Sequence, residues 1–366
     1  MLYIGLMSGT SMDAIDVAIA DIDQHDLQVI AYEQFAFPES IQQSVRALNA
    51  DSSINTVTEL DVKLARLFAD AILRALANND LKAGDIAAVG HHGQTVLHLP
   101  DPPCPRTLQI GDGNIVAALT GIPVVSDFRR MDMALGGQGA PLAPAFHAWF
   151  FKSRNQDLAI LNIGGMANLT VLTEEGVRGF DSGPGNALLD DWVRQHKSLD
   201  YDEDGLWAAS GTVHEVLLQA MLADSYFAKN PPKSTGKDEF NLSWLEHLLS
   251  GLDNRPAVED VQATLLQLSA LTISDAVIRY ADSVSEVVAC GGGCHNESLM
   301  AKIQEGLQGR MLSTTAKYGM DPDAVEALAF AWLARQRLEM QAGNLPEVTG
   351  ASDKVMLGAL YQALKR

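Results

Sequence analysis

One carboxylate in this sequence stands in surroundings that suit general base chemistry. Asp181 ends a short apolar strand in "GFDSGPGNALLDDW" (179–192), and a turn and the start of a helix follow it directly. A carboxylate at a strand end, beside a helix N-terminus, is well placed to take a proton from a reacting group. The alternative is that Asp181 serves only as a cap or a turn residue.

Three strand–glycine units could bring backbone N–H groups close to a phosphate or a nucleoside. They are "YIGLMSGTS" (3–11), "LAILNIGGMANLTVL" (158–172) and "VSEVVACGGGCHN" (284–296). The first has hydroxyl groups but no lysine, so it is not a Walker loop. Asp13 and Asp16 follow it, and they could meet phosphate only through Mg²⁺, because like charges repel. The alternative is a plain hairpin turn.

Two further polar clusters are candidates for substrate contact. Arg129 and Arg130 stand beside a glycine-rich, non-periodic segment, where both substrate contact and a solvated surface are open. The histidines of "GHHGQTVLHLP" favour polar contacts at a cleft over a metal site. Adjacent His91 and His92 on a strand point to opposite faces, so they cannot both hold one ion.

Cysteines and a long loop complete the candidates. Cys290 and Cys294 have a C-x₃-C spacing without a second cysteine pair, which favours buried thiols over a zinc site. The loop "NPPKSTGKDEFN" (230–241) is long and polar and carries Lys233 and Lys237. Long ordered loops in compact domains are often functional.

The composition is that of an ordinary globular protein with room for two domains. The chain has 366 residues, of which 47% are hydrophobic and 20% charged, and its net charge is −20. That charge argues against a nucleic acid backbone or an anionic membrane surface as a partner. The three sparse cysteines predict reduced thiols and a cytoplasmic location. The N-terminus does not look like a signal peptide, and no run of 18 apolar residues predicts a membrane span.

The elements that must position these residues alternate between strands and helices. Helical periodicity covers residues 57–77, 261–281 and 322–340. Alternation of this kind predicts α/β layers. Two of the glycine units read as hairpins, which a purely parallel sheet does not contain. The chain is therefore predicted to form a mixed sheet twice.

The ordered motifs of the chain resemble the anhydro-N-acetylmuramic acid kinases, in the superfamily of actin, sugar kinases and heat-shock chaperone ATPases. The strings that carry the resemblance span residues 7 to 334 and are "MSGTSMDAID", "GHHGQT", "QIGDGNIVA", "SDFRRMDMALGGQGAPLAPAFH", "NIGGMANLT", "FDSGPGN", "PPKSTGKDEFN", "CGGGCHN" and "MDPDAVEALAFAWLA". Two departures are small. Ala14 follows Asp13 where the family commonly has glycine, and Ser182 follows Asp181 where it often has threonine.

The resemblance implies a fold and a domain division. Each of two domains has a mixed β-sheet flanked by helices, with the active site in the interdomain cleft. The first domain is expected to comprise residues 1–128 with a return of 347–366, and the second residues 129–346. ATP and Mg²⁺ are the implied cofactors, and a homodimer is the implied assembly.

The resemblance also implies residue roles. Asp181 is the implied catalytic base, and Asp13 and Asp16 would serve Mg²⁺ through water. The implied ATP-binding residues are Gly9, Thr10, Ser11, Met12, Asp13, Ala14, Ile15, Asp16, Gly164, Gly165, Asn168, Gly291, Gly292 and Gly293. The implied substrate-binding residues are His92, Gln94, Arg129, Arg130, Gly183, Asn186 and Glu326. One of the two arginines would pair with the lactyl carboxylate of the sugar.

The reaction implied by the resemblance couples two steps. ATP phosphorylates the 6-oxygen of 1,6-anhydro-N-acetylmuramic acid while water opens the anhydro bridge at carbon 1, giving N-acetylmuramic acid 6-phosphate for cell-wall recycling. Three alternatives stay open on the residues alone. They are a kinase for an ordinary hexose hydroxyl, a non-catalytic module switched by nucleotide, and a glycosidase without ATP, which would normally need two opposed carboxylates.

Overall fold

The computed structural model describes residues 1–9, 12, 14–49, 51–151 and 157–363. They divide into unit 1, which comprises Met1–Arg154 and Ala324–Arg366, and unit 2, which comprises Asn155–Asp323. Within the predicted second domain, segments 129–154 and 324–346 belong instead to unit 1.

The strands in chain order are β1 (Leu2–Met7), β2 (Ala14–Ile22), β3 (Leu27–Ala36), β4 (Ile86–His91), β5 (Gln94–Leu99), β6 (Arg106–Ile110), β7 (Val124–Ser126), β8 (Leu158–Ile163), β9 (Met166–Thr173), β10 (Gly176–Pro184), β11 (Glu286–Cys290), β12 (Met311–Thr314) and β13 (Ala359–Tyr361). The α-helices are α1 (Glu39–Arg46), α2 (Ile54–Asn78), α3 (Gly113–Thr120), α4 (Arg130–Ala134), α5 (Ala143–Phe151), α6 (Ala187–Lys197), α7 (Leu206–Ser210), α8 (Glu215–Leu222), α9 (Ser225–Ala228), α10 (Leu242–Ser250), α11 (Val258–Tyr280), α12 (Glu297–Gly306), α13 (Val325–Leu338) and α14 (Pro346–Thr349).

Unit 1 is built on a mixed sheet in the order β13-β7-β4-β1-β2-β3. The pairs β1–β4 and β4–β7 are parallel, whereas β1–β2, β2–β3 and β7–β13 are antiparallel. Helix α2 covers one face, where Leu64, Phe68 and Ile72 pack with the apolar side chains of β1 and β2. The predicted helix over 57–77 is confirmed as α2.

Helix α13 covers the other face of this sheet. Its packing explains why residues 324–346 belong to unit 1 and not to the predicted second domain. Gly5 of β1 and Gly90 of β4 have no side chain, and a Cβ at either position would overlap the backbone carbonyl of Ala327 or Phe330. The helix therefore lies directly on the two strands. Because the 3.6-residue period of 322–340 shows a helix but not its partner, the sequence could not indicate which sheet α13 joins.

Unit 2 has its own mixed sheet, in the order β10-β9-β8-β11-β12. The antiparallel pairs β8–β9 and β9–β10 meet the parallel pairs β8–β11 and β11–β12. The predicted helix over 261–281 is α11, and most of its residues are buried in the core of unit 2. The predicted class, α/β with a helix-flanked mixed sheet in each half, is confirmed for each unit.

Among the described residues, α11 has the length and apolar composition of a helix that could cross a membrane. In the structure 78% of its most apolar stretch is buried inside the protein. A core helix of a folded domain has the same properties.

Candidate functional site

The first glycine turn is braced by a side chain from β5. The carbonyl of Gly9 accepts the backbone N–H of Met12 at 3.2 Å and the side-chain amide of Gln94 at 3.4 Å. Ser8 donates its hydroxyl to the other end of the Gln94 amide. Gln94 is 1% exposed, so it positions the turn rather than facing solvent. Thr10, Ser11 and Asp13 lie outside the described residues.

Asp16 lies on β2 directly opposite Gln34 of β3. Its Oδ1 accepts the hydroxyl of Tyr32 at 2.7 Å and the amide of Gln34 at 3.0 Å. The preceding Ala14 is partly buried, and Ile15 is fully buried in the core, so the side chain of Ile15 cannot meet a nucleotide.

The donor chemistry of this turn suits Mg²⁺, although the described residues contain no group of three or more His, Cys, Asp or Glu placed around a metal. Mg²⁺ usually keeps several waters and takes only one or two carboxylates besides substrate phosphates. Asp16 supplies a hard carboxylate oxygen of that kind.

His92 and Arg129 form one hydrogen-bonded pair in unit 1. The Nε of Arg129 donates to Nε2 of His92 at 3.0 Å, and its Nη1 donates to the carbonyl of Gly139 at 2.7 Å. Burial, reinforced by the Arg129 charge, holds the pKa of His92 well below its usual value. His92 is therefore neutral, and because Nε2 accepts, its proton is on Nδ1.

The two neighbouring arginines differ in their surroundings. Burial lowers the pKa of Arg129 to about 10, and the charge of Glu326 on α13 partly offsets this. Arg130 is exposed, and its Nε lies 3.5 Å from Oδ1 of Asp127. Burial raises the pKa of Asp127, while the charge of Arg130 lowers it. Arg129 is thus held by protein groups, whereas the guanidinium of Arg130 makes a single, long ion pair among the described residues.

A cavity of about 510 Å³ lies in unit 1 at the carboxyl ends of the parallel strands β4 and β7. Its wall includes His91, His92, Asp112, Asp127 and Arg130, and its volume suits a small-molecule ligand. Crevices at the carboxyl ends of parallel strands are the usual ligand sites of α/β sheets.

The prediction that His91 and His92 point to opposite faces is confirmed. The ring of His91 lies 5.8 Å from Phe68 of α2, and the ring of His92 lies 5.0 Å from Phe330 of α13. Burial lowers the pKa of His91 to about 4, with a small opposing effect from Asp112. Both histidines are thus neutral and buried beside the cavity.

A buried carboxylate that the sequence did not single out holds the glycine-rich loop. Asp132 is completely buried and accepts the N–H of Gly139 at 2.8 Å, the amide of Asn344 at 2.8 Å and the hydroxyl of Thr349 at 2.7 Å. Because the carbonyl of Gly139 accepts a hydrogen bond from Arg129, the C-terminal segment fixes the loop that binds this arginine. No local pattern in the sequence links residues more than 200 positions apart.

In unit 2, Asp181 is held on three sides. Its backbone N–H donates to the carbonyl of Lys233 at 3.0 Å, and its carbonyl accepts the hydroxyl of Tyr226 at 2.7 Å. Its Oδ2 accepts the backbone N–H of Thr235 at 3.0 Å. Burial raises the pKa of Asp181 to about 6, and the Thr235 hydrogen bond and the Lys233 charge partly offset that rise.

A β-bulge aims the Asp181 side chain. Asp181 pairs with Asn168 of β9, but the register shifts before Gly183, leaving Ser182 as the extra residue. Ser182 turns inward and donates to the carbonyl of Ala167 at 3.1 Å. Bulges commonly redirect a side chain beside an active site. Asn168 is therefore the cross-strand neighbour of Asp181, and Gly183 packs where a side chain would meet the ring of Phe227.

The second glycine turn is joined to the start of α6. The carbonyl of Gly164 accepts the N–H of Asn186 at 2.8 Å, and that of Gly165 accepts the N–H groups of Gly185 and Ala187, each at 3.0 Å. Through these contacts the turn 164–165 and the end of the Asp181 strand form one rigid group.

The third glycine unit has two kinds of glycine. A Cβ on Gly291 or Gly293 would overlap Asn162 or Ile163, so these two allow close packing on β8. Gly292 has open space beside it. Burial raises the pKa of the neighbouring Cys294 to about 12, so it remains a thiol at neutral pH.

The chain is similar to known proteins over almost its whole length. A family model described as anhydro-N-acetylmuramic acid kinase matches residues 1–363. Anhydro-N-acetylmuramic acid kinase of Photobacterium profundum is 47% identical over 371 residues, covering 99% of this chain and 98% of that protein. The protein of the same name from Coxiella burnetii (strain Dugway 5J108-111) is 47% identical over 364 residues, covering 98% and 97%.

Solved structures that resemble this chain have much lower sequence identity to it. The activator of the 2-hydroxyisocaproyl-CoA dehydratase from Clostridium difficile, with bound ADPNP, is 14% identical with a TM-score of 0.45, covering 93% of this chain and 96% of that one. A ROK family glucokinase from Streptomyces griseus, in complex with glucose and AMPPNP, is 15% identical with a TM-score of 0.43, covering 92% and 100%.

Proposed function

The chain belongs to the anhydro-N-acetylmuramic acid kinase family, and from that premise we propose which of its residues carry the reaction. The protein is a kinase that uses ATP to phosphorylate 1,6-anhydro-N-acetylmuramic acid in cell-wall recycling.

We propose that Asp181 is the general base, and its partly buried carboxylate is the observation that carries the assignment. Asp181 takes a proton from the water that attacks carbon 1. The bond from carbon 1 to the bridging 6-oxygen breaks, and that oxygen forms the new bond to the γ-phosphorus as ADP leaves. With a pKa of about 6, the carboxylate is mostly ionised at neutral pH and still basic enough to accept the proton.

Nucleotide contacts are proposed on glycine turns in each unit. In unit 1 they are the first turn, 9–16, where only Gly9, Met12, Ala14, Ile15 and Asp16 are described and Ile15 contributes backbone alone. In unit 2 they are Gly164, Gly165 and Asn168 for phosphate and Gly291, Gly292 and Gly293 for adenosine, with Gly292 supported best by its open side. Asp16 and Asp13 would hold Mg²⁺ through water, and the ion, when bound, neutralises phosphate charge.

Sugar contacts are proposed around the unit 1 cavity. Arg130 is the better candidate for the lactyl carboxylate, because the fork of Arg129 is already committed to His92 and Gly139. Gln94 and Arg129 then act by positioning the residues they bind. Glu326 in unit 1, and Gly183 and Asn186 in unit 2, remain proposed contacts to the sugar, supported by their positions beside Arg129 and Asp181 respectively.

We also propose that the enzyme is a cytoplasmic homodimer whose partners are ATP and the anhydro sugar. A net charge of −20 supports the expectation that neither nucleic acid nor an anionic membrane binds it. Sedimentation velocity of the purified chain tests the dimer, and a single species at the monomer mass would contradict it.

Mass spectrometry of the product made in ¹⁸O-labelled water tests the coupled reaction. We expect one ¹⁸O at carbon 1 and none in the transferred phosphoryl group. Label in the phosphoryl group would mean that water attacks ATP. Supplying intact N-acetylmuramic acid beside the anhydro sugar separates the reaction from that of an ordinary hexose kinase, which would phosphorylate the intact sugar.

A further inference from the structure

We propose that residues 233–235, in the long loop between α9 and α10, are a positioning element that keeps Asp181 ionised and selects which of its carboxylate oxygens takes the proton. The inference rests on the proposed role of Asp181 as the base. It assigns a role to Lys233 and Thr235, whose backbone groups form hydrogen bonds with Asp181.

The hydrogen bonds show how the loop grips the strand. The carbonyl of Lys233 accepts the N–H of Asp181 at 3.0 Å, and the N–H of Thr235 returns to Oδ2 of Asp181 at 3.0 Å. Two bonds in opposite directions between the same short segments fix both the backbone and the carboxylate. Among the described residues Oδ1 has no hydrogen bond, so it is the oxygen left to accept a proton from water.

The charged groups near the Asp181 carboxylate also support the proposal that the loop keeps Asp181 ionised. Titratable and charged groups reach Asp181 and Lys233 from the loop, from α9 and from α11, namely Lys233, Glu239, Tyr226, Lys229, Asp275 and Arg279. Most of them are already paired. Glu239 accepts the Thr235 hydroxyl at 2.7 Å and lies 3.7 Å from Lys229, and Asp275 accepts from Arg279 at 2.9 Å.

Lys233 is the cation whose charge lowers the pKa of Asp181. Its ammonium lies 4.6 Å from the centre of the Tyr226 ring and 3.5 Å from the Tyr226 carbonyl. Burial and the neighbouring Asp181 keep the pKa of Tyr226 high, so its hydroxyl remains a donor to the Asp181 carbonyl. The Lys233 ammonium thus lies over the face of the Tyr226 ring, and the Tyr226 hydroxyl is hydrogen-bonded to the strand that carries Asp181.

The sign of the effect follows from these contacts. Burial raises the pKa of Asp181 to about 6, while the Thr235 N–H and the Lys233 charge both lower it. Removing either one should let the pKa rise further, because each stabilises the charged form. The base would then be protonated over a wider pH range, and the acid limb of kcat/KM should move to higher pH.

The test measures the pKa of Asp181 directly as well as activity. ¹³C NMR titration of the full-length enzyme with labelled aspartate follows the Asp181 carboxyl, which is identified by its absence in Asp181→Asn. Thr235→Pro removes the N–H, and Thr235→Ala keeps it, so the difference between them isolates that bond. Lys233→Met removes the charge, and Lys237→Met removes an exposed charge of the same loop as its matched control.

We expect Thr235→Pro and Lys233→Met each to raise the pKa of Asp181 by roughly one unit relative to their controls, with an equal shift in the acid limb of kcat/KM. An unchanged pKa in Lys233→Met and in a folded Thr235→Pro overturns the proposal. If Thr235→Pro does not fold, Lys233→Met alone decides. A raised pKa without a matching kinetic shift supports the positioning role and contradicts Asp181 as the base, so the two failures are distinguishable.

Discussion

At the scale of single residues, Asp181 combines ionisation with partial burial, and these two properties oppose each other. The folded protein raises its pKa from 3.8 to about 6, so the charged form is less stable in the fold than in the unfolded chain. The penalty is fully present above pH 6 and disappears below the unfolded pKa. A group retained at such a cost is typical of catalytic positions.

Asp181→Asn should therefore lose activity and gain stability together. We expect kcat to fall by about 10²-fold or more, because the amide cannot accept the proton. At pH 7 the free energy of unfolding should rise by about 1–3 kcal/mol, since the buried charge is gone. Steady-state kinetics and urea unfolding measure the two effects. The exposed Asp253→Asn is the control, and a mutant with wild-type turnover would exclude Asp181 as the base.

The pH profile of the wild-type enzyme gives an independent check. The activity should be lost as the pH falls through about 6, where the Asp181 carboxylate takes up a proton. His92 should not contribute to this limb, because its pKa lies well below the usual histidine range. An acid limb near pH 4, typical of an ordinary carboxylate, would contradict the burial argument.

The two arginines should behave differently when replaced. Arg130→Ala should raise KM for the anhydro sugar about tenfold or more, as expected for loss of a charge-assisted pair, with little change in KM for ATP. Arg129→Ala should instead lower the unfolding midpoint, because it leaves His92 and Gly139 without their donor. Kinetics with each substrate varied in turn and urea unfolding separate the two. Equal effects on both KM values would reduce Arg130 to a structural charge.

The sequence predicted which residues are candidates for the site, but it did not predict the surroundings of their side chains. Asp181 was identified from its strand end and turn, and the opposite faces of His91 and His92 followed from strand alternation. The raised pKa of Asp181 could not be predicted, because it results from burial in the fold and is partly offset by contacts from a loop about 50 residues further along the chain. The commitment of Arg129 to His92 likewise depends on how two loops meet in space.

At the scale of elements, the glycine-rich loop 136–139 is ordered by the C-terminal segment. The N–H of Gln138 donates to the carbonyl of Thr349 at 2.8 Å, and that of Ser352 donates to the carbonyl of Leu135 at 2.9 Å. The completely buried carboxylate of Asp132 accepts hydrogen bonds from both the loop and the C-terminal segment. The sequence showed only a glycine-rich, non-periodic segment beside Arg129 and Arg130, whereas the order of the loop comes from residues that no local pattern connects to it.

Asp132→Ala should release this loop. The change leaves the N–H of Gly139, the amide of Asn344 and the hydroxyl of Thr349 buried without their acceptor, and we expect a loss of about 3 kcal/mol in the free energy of unfolding. KM for the sugar should rise more than KM for ATP, because Arg130 lies at the start of α4 beside the loop. Urea unfolding and kinetics measure these effects, with the exposed Glu347→Ala as control. A wild-type unfolding midpoint would show that the network is not needed for stability.

At the scale of the whole molecule, the two units differ in how the chain builds them. Unit 2 is one continuous stretch, and its main core is drawn entirely from its own residues, from Ala159 to Leu307. Unit 1 is made of two pieces, because α13 and β13 return to a sheet formed at the start of the chain. The return was predicted, but it begins at 324 rather than at 347, since only packing against Gly5 and Gly90 reveals the partner of α13.

This difference predicts different behaviour for fragments of the chain. Fragment 155–323 should fold alone with a cooperative urea transition, because it contains every strand of its sheet together with the α11 core. Fragment 1–154 should not, because without α13 the apolar sheet face around Gly5, Gly90 and Phe128 is exposed to water. The two predictions follow from the same physical requirement, that an apolar face of a sheet must be buried against another element.

Circular dichroism and urea unfolding of the separate fragments provide the measurement. We expect fragment 1–154 to aggregate or to unfold without a sigmoidal transition, and co-expression with fragment 324–366 to restore one. Replacing Gly90 with alanine in the co-expressed pair should abolish the rescue, since the added Cβ overlaps the Phe330 carbonyl. Gly84→Ala, where the new methyl group meets nothing within 4 Å, is the matched control and should leave the rescue intact. A cooperative transition of fragment 1–154 on its own would show that α13 is not essential to the fold of unit 1.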